Sequence, residues 1–307
     1  MDKTEASDAS VPGSSPGRRT KKMKKTTRKP KTSFIPKTTI EYPQKTDEHY
    51  IQTKEKRKII LDSNYPFVDD SKIFRFKKII VRLLLRLIVF PMTKIKLGLK
   101  VYGKENLKKN KELLKNGAIS VSNHINYFDY LAIMRTIKPV KPYVLSWKNN
   151  ITDGSGNLVR LVGGIPIPEG NISATKEFLN AVNGILNNKG WIHVYAEGSM
   201  WEFYRPIRPF KKGAAYLATK NIKPIVPIGF SYRKPGFFRR NIFRQVALIN
   251  INIGEPISVD PALDEKTNIE QLTIKAHRAV EKLAGIEKNI YEPIYAKENC
   301  LKIVAEN

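Results

Sequence analysis

The chain has 307 residues, with 55 lysines and arginines against 28 aspartates and glutamates, a formal net charge of +27 at pH 7. That length can bury a substantial core in one large domain or two small ones. So basic a balance implies a polyanionic partner, either nucleic acid or the anionic face of a membrane. The single cysteine, Cys300, excludes an intramolecular disulfide and a cysteine-based zinc cluster and argues for a reducing compartment. The first 20 residues lack the apolar stretch of a signal peptide, which argues against secretion.

In chain order, residues 1–60 come first. The stretch "VPGSSPGRRTKKMKKTTRKPKTS" offers almost nothing to bury, and the segment reads as a disordered basic tail. It holds 16 basic and 7 acidic residues, a net +9, so the remaining +18 is spread through the folded part. Residues 61–94 read as an amphipathic helical segment containing "DDSKIFRFKKIIVRLLLRLIVFP". Asp70 or Ser71 can cap its start, and Pro91 is expected to end it. Arg75, Lys78, Arg82 and Arg86 recur at spacings of 3, 4 and 4, one cationic stripe on a helix, with Phe74, Ile80, Leu84, Leu87 and Ile88 covering much of the rest. Two arginines near the middle, at about 3 kcal/mol each, disfavour a membrane-spanning helix. An interfacial helix fits better, against a plain alternative in which a core helix turns its basic stripe to solvent.

Residues 95–290 alternate strands and helices. Strands are expected at 118–122, 143–147, 191–196, 224–230 and 246–254, and helices at 104–115, 127–137, 173–188, 211–220 and 266–285, with turns marked by Gly190, Gly213 and Gly254. This is an α/β domain with a mixed, largely parallel sheet flanked by helices, followed by a tail at 291–307. No GxGxxG or GxxxxGK[ST] loop is present to cradle a nucleotide phosphate.

"SVSNHINYFDY" places His124 five residues before Asp129. An imidazole is suited to take a proton near neutral pH, and works best when a carboxylate fixes its tautomer. On one continuous helix the two side chains would point apart. They can meet only if His124 sits in the turn after the strand and Asp129 in the first helical turn, at the carboxyl end of a strand where α/β sites lie. Taken alone, the spacing favours the plainer reading of a polar loop histidine bonded to a helix-capping aspartate.

"NHINYFDYLAI" resembles the N-H-x4-D block of the glycerolipid acyltransferases, the lysophosphatidate acyltransferase family. "VYAEGSMWEFYRPIRPFKKGAAYLA" is similar to that family's Glu-Gly-Thr-Arg block and its following Phe-Lys-x-Gly segment. "RLVGGIPIP" and "PIVPIGF" resemble its middle and late blocks, in the same order, and the likeness covers about residues 95–260. The resemblance implies the glycerolipid acyltransferase fold and transfer of an acyl group from acyl-CoA or acyl-carrier protein to a lysophospholipid hydroxyl, lysophosphatidate foremost. His124 would be the base oriented by Asp129. Glu197, Gly198, Ser199, Arg205, Arg208 and Lys211 would bind substrate. No cofactor or metal is expected, and no covalent intermediate is needed, in keeping with the lack of a GxSxG elbow.

Two positions depart from the pattern. Met200 stands where the family has a phosphate-binding arginine, and Pro168 and Glu169 stand where the middle block often ends in another. Arg205 and Arg208, with Lys211 and Lys212, are the replacements on offer, arginine being the favoured bidentate clamp. A different lysolipid acceptor is the alternative, and an inactive enzyme a third. A hydrolase using the same base is another reading. The diffuse charge and the lack of a recognisable nucleic-acid-binding motif argue against specific nucleic-acid binding as the main function. The expected location is the cytoplasmic face of the cell membrane, as a peripheral or monotopic protein with the basic tail on anionic lipid.

Of the other histidines, His193 reads as a core or strand-edge residue, His49 as part of the tail and His277 as lying on a polar helix face. Trp147, Trp191 and Trp201 read as core residues, Trp201 with the option of facing lipid.

Overall fold

The computed structural model describes residues 34–51, 56–137, 141–153 and 155–291. A helical run opens the folded part: α1 (Lys72–Leu84), a π-helical turn (Leu85–Val89) and α2 (Phe90–Leu97). Ser71 caps it, its hydroxyl accepting from the Phe74 N–H, and Gly98 ends it in the left-handed region at φ +56°. Pro91 does not end the helix as expected. Proline lacks an N–H and its ring crowds the carbonyl one turn back, but the wide π turn before it, where the Phe90 N–H reaches the Leu85 carbonyl, opens the ladder there.

The strands are β1 (Lys100–Tyr102), β2 (Ala118–Ser122), β3 (Tyr143–Ser146), β4 (Gly164–Pro166), β5 (Trp191–Tyr195), β6 (Ile225–Arg233) and β7 (Leu248–Ile253). They form one sheet in the order β1-β7-β6-β2-β5-β3-β4. Every pairing is parallel except β6 with β7. The mixed, largely parallel sheet is therefore as the sequence indicates. β1 and β4 were not expected, since three residues are too short for a period-2 pattern to show.

The helices between them are α3 (Lys104–Lys109), α4 (Lys111–Leu114), α5 (Asp129–Thr136), α6 (Asn149–Thr152), α7 (Gly156–Leu161), α8 (Ile172–Asn187), α9 (Gly213–Asn221), α10 (Phe237–Asn241) and α11 (Glu265–Ala284). The helix expected at 104–115 is broken at Asn110, whose side-chain amide donates to the Asn106 carbonyl and competes with the helical ladder. Residues from α8, α9 and α11 cover one face of the sheet, packing Phe178, Leu186, Leu217 and Val280 on Ile119, Val121 and Ile192. The other face buries Ala118, Trp191, Ile228 and Ile251 under Leu97, Ile133 and Ile137. Alternation along β2 and β5 thus splits neighbours between two cores, as a sheet buried on both sides requires.

Two segments differ from expectation. On α1 the stripe does not face water as a whole: Lys78 is only 8% exposed, its ammonium donating to the Tyr143 hydroxyl at 3.2 Å, and Arg82 is half-buried. The apolar side turns outward instead, with Ile73, Phe76, Ile79, Leu83, Leu87, Met92 and Ile95 exposed, Leu87 at 63%. The plain alternative of a core helix is thereby reversed. The second segment is residues 34–51, expected to be a disordered tail. They pack on the domain, beginning with a Phe34 N–H bond to the Tyr232 carbonyl. Residues 1–33 and 52–55, like 292–307, lie outside the described residues.

Candidate active site

β2 ends at Ser122, and the next six residues turn into α5, whose first residue is Asp129. Asn123 pins this turn to β6: its side-chain oxygen accepts from the Phe230 N–H at 2.8 Å and its amide donates to the Phe230 carbonyl at 3.2 Å. The turn wraps the Asp129 carboxylate. Asp129 Oδ2 lies 2.9 Å from His124 Nδ1 and accepts from the Ile125 and Asn126 backbone N–H groups at 3.0 and 3.3 Å. Asp129 Oδ1 accepts from the Tyr195 hydroxyl at 2.6 Å. His124 and Asp129, five apart in sequence, are thus brought together by a strand–turn–helix arrangement.

An ionised carboxylate can only accept, so Nδ1 of His124 carries the hydrogen and Nε2 presents a lone pair. Nε2 has no hydrogen-bond partner among the described residues. The imidazole is 22% exposed, while the Asp129 side chain is fully buried. The Tyr195 ring lies flat against the imidazole, centroids 3.7 Å apart and 10° from parallel. Burial, with Asp129 close by, pushes the Tyr195 hydroxyl well above its ordinary pKa and keeps it a donor. Tyr195 was missed from sequence, though alternation could have found it. β5 pairs with β2 so that Trp191, His193 and Tyr195 stand beside Ala118, Ser120 and Ser122.

His193 is a buried core residue, as expected, and its hydrogen bonds have a determined direction. Trp191 Nε1–H donates to Ser120 Oγ at 2.9 Å, and Ser120 Oγ also lies 2.9 Å from His193 Nδ1. The Ser122 hydroxyl donates to the Asn123 carbonyl at 3.0 Å, so it accepts from His193 Nε2–H at 3.2 Å. Burial lowers the pKa of the ring to about 3 and keeps it neutral, so with the hydrogen on Nε2 the Nδ1 lone pair accepts from the Ser120 hydroxyl.

The Glu197–Trp201 turn continues β5 and holds His124 from the other side. Glu197 is buried; its Oε2 accepts from the His124 backbone N–H at 2.9 Å and from Arg208 Nη2 at 3.0 Å, and its Oε1 accepts from the Arg208 backbone N–H at 2.9 Å. Arg208, 1% exposed, also donates to Ser199 Oγ, the Ser199 carbonyl and the Thr46 carbonyl. The Trp201 N–H donates to the His124 carbonyl at 3.2 Å. Three of the residues expected to bind substrate are thus buried in this arrangement. Glu197, Ser199 and Arg208 form a buried cluster behind His124 in which both Arg208 Nη groups are bonded, and the 1%-exposed guanidinium is closed off from a phosphate. Arg205, half-buried, donates to the Gly285 carbonyl at the end of α11 at 3.4 Å.

Gly198 and Lys211 remain at the surface of the turn. Gly198 has φ +84°, and a Cβ there would meet Lys211 Cε at 2.8 Å, so glycine suits both backbone and stem. The Lys211 ammonium pairs with Asp47 at 3.2 Å, with both side chains more than half exposed.

Asp47 belongs to the 34–51 strap, which sequence reasoning missed because its anchors are backbone carbonyls. Trp201 Nε1–H donates to the Glu48 carbonyl at 2.8 Å, the Tyr42 ring stacks on Trp201 at 5.4 Å, and the Tyr42 hydroxyl donates to the Glu202 carbonyl at 2.6 Å. Trp201 is therefore buried under the strap, not facing lipid. His49 stacks on Trp147 at 3.8 Å; burial, then the charges of His124, Arg208 and Lys211, lowers its pKa to about 4. His277 is buried as well, contrary to expectation, with Nε2 3.1 Å from the Arg208 carbonyl. Among the described residues no His/Cys/Asp/Glu group has the arrangement of a metal site.

A family model described as Acyltransferase matches residues 98–231, which span the sheet from β1 to β6 and every residue of the His124 site except the strap. No curated protein matches the chain. Among solved structures, the chain is similar to the crystal structure of the 1-acyl-sn-glycerophosphate (LPA) acyltransferase PlsC from Thermotoga maritima, at 18% identity and a TM-score of 0.48, over 71% of this chain and 84% of that one. The matched segment holds the turn in which His124 meets Asp129, so the part of the chain that carries the candidate site is the part similar to the acyltransferases.

Proposed function

We propose that the protein moves a fatty acyl group from a thioester carrier, acyl-CoA or acyl-carrier protein, to the free hydroxyl of a lysoglycerolipid at a membrane surface, with lysophosphatidate as the first acceptor to test. The observation that carries this reading is the 2.9 Å bond between His124 Nδ1 and Asp129, which leaves Nε2 unpartnered and the ring partly exposed. In the proposed step Nε2 takes the acceptor's hydroxyl proton as its oxygen attacks the thioester carbonyl. The C–O bond forms, the tetrahedral intermediate collapses, the C–S bond breaks, and the leaving thiolate regains a proton from the imidazolium. Asp129 stabilises that imidazolium, and the flat Tyr195 ring limits its rotation.

With the Arg208 guanidinium buried on Glu197, the exposed Lys211 beside the Glu197–Trp201 turn is the cation proposed to meet an acceptor's phosphate. Met200 favours a second reading, an acceptor whose headgroup lacks a terminal phosphate. Membrane association is supported by the outward apolar face of α1 and α2, with Arg75, Arg86 and the lysines Lys72 and Lys77 exposed around it. No helix among the described residues is long and apolar enough to cross a membrane. We take the cytoplasmic face of the membrane as its location, a proposal resting on basicity alone.

The test assays full-length protein with acyl-CoA and acyl-carrier-protein donors and a panel of lysolipids, beside His124→Ala. Product formed at equal rates by wild type and His124→Ala would sink the proposal. Donor cleavage that ignores the lysolipid would instead identify a hydrolase.

A further inference from the structure

Between β6 and β7 the chain leaves the sheet and forms an apolar, basic projection. Phe237, Phe238, Ile242 and Phe243 are 64 to 70% exposed there. Lys234, Arg240 and Arg244 stand exposed among them, and no acidic residue occurs from 203 to 254. The projection is held in place. Arg239 donates to the Ile95 carbonyl at 2.8 Å and Gln245 to the Lys96 carbonyl at 2.6 Å, tying it to the end of α2, where Met92 and Ile95 are exposed. The Lys96 ammonium in turn lies 4.9 Å from the Phe128 ring centroid, four residues from His124.

We propose that residues 234–246 form a second lipid-docking element, with phenylalanines in the headgroup–acyl boundary of an anionic bilayer and arginines on its phosphates. This deepens the membrane reading and rests on it. Phenylalanines interspersed with arginines suit that boundary, where one side is apolar and the other carries negative charge. Continuity with α2, through Lys96 to the His124 turn, puts the docking element on the path by which a lipid acceptor reaches the site. The probe is vesicles of phosphatidylglycerol with phosphatidylcholine, and the variant is the full chain carrying Phe237→Ser, Phe238→Ser and Phe243→Ser. Partitioning is expected to weaken by about tenfold or more, with the unfolding midpoint unchanged and turnover of micellar lysolipid kept. Binding equal to wild type, or binding to pure phosphatidylcholine as tight as to the anionic mixture, overturns the proposal. So does a variant that alters only self-association, which assigns the patch to a contact between copies. Wild type that ignores all vesicles overturns the membrane reading itself.

An independent observation concerns the strap. Its Thr46 and Glu48 carbonyls accept from Arg208 and Trp201, the two residues that frame the Glu197 turn, and Tyr42 stacks on Trp201. Glu197 in turn fixes the His124 backbone N–H. We infer that the strap, although outside the family-matched segment, is a positioning element that completes the site, with Tyr42 its clamp. Tyr42→Ala in the full chain is expected to lower kcat about tenfold per folded molecule with donor KM within about twofold, while Tyr42→Phe, which keeps the stack, restores most of the rate. Wild-type kcat in Tyr42→Ala, or a loss that merely tracks the folded fraction, overturns it. Dependence of wild-type activity on His124 is checked alongside, so that failure of the base assignment is told apart from failure of the strap.

Discussion

Replacing Asp129 with asparagine removes the carboxylate charge beside His124 while keeping its size. Asp129 Oδ2 is 2.9 Å from Nδ1, and the carboxylate is fully buried. With charge centres about 4 Å apart and an effective dielectric of about 20, attraction for the imidazolium is worth about 4 kcal/mol. The ring is 22% exposed, so screening reduces this, and about 3 kcal/mol is a fair figure, or about a hundredfold in rate. The tautomer is kept, because the oxygen that accepts from the Ile125 and Asn126 N–H groups is the one that faces His124 Nδ1, and the asparagine amide then meets the Tyr195 hydroxyl. The loss of charge therefore sets the fall in kcat at about 10², with donor KM little changed. The assay is steady-state acyl transfer at saturating acceptor, with circular dichroism confirming the fold. Asp129→Asn retaining more than about a third of wild-type kcat would refute the claim that this carboxylate supports a charged imidazole in the transition state.

Further predictions concern the surrounding groups. Glu197→Gln leaves the buried Arg208 charge uncompensated and should cost about 3–5 kcal/mol, read as a large drop in unfolding midpoint, partly recovered by adding Arg208→Met. Lys211→Ala should raise KM for lysophosphatidate about tenfold, whereas Arg205→Ala, whose guanidinium serves α11, should leave it within about twofold. An unchanged KM in Lys211→Ala favours the acceptor without a terminal phosphate. The folded-state pKa of His193 is lowered to about 3, below the unfolded value of about 6.5, so the unfolded chain binds the extra proton. Stability from this group is fully present above about pH 6.5 and falls by about 1.4 kcal/mol per pH unit as pH drops from there toward 3. Urea unfolding at pH 7 and pH 5 should show a smaller acid loss in His193→Asn than in wild type, and parallel losses would contradict the neutral-ring assignment.

Some of this was legible because the signal was local. β2 reads from "AISVS" and ends where the structure ends it, and Ser71 caps α1 because a serine three residues before an open N–H can do so. The stripe of Arg75, Lys78, Arg82 and Arg86 was also legible as a stripe. Which side faced the protein was not, since Lys78 is buried by Tyr143, 65 residues away. The surroundings of Arg205 and Arg208 were hidden for the same reason. Both look like free cations in "YRPIRPFKK", yet one is neutralised by Glu197 eleven residues earlier and the other turns to Gly285. Tyr195 needed the β2–β5 register, and the strap needed the location of carbonyls that carry no residue signature.

The sequence by itself determined the alternation of strands and helices and the basic, apolar segment before them, since each depends on periodicity, and it put His124 and Asp129 close enough in the chain for a turn to bring them together. Only the tertiary structure decided which cations are buried, which face of α1 looks outward and which tyrosine backs the imidazole. Those depend on desolvation and on partners from distant segments, and the free energy of a charge depends on what surrounds it more than on its neighbours in the chain.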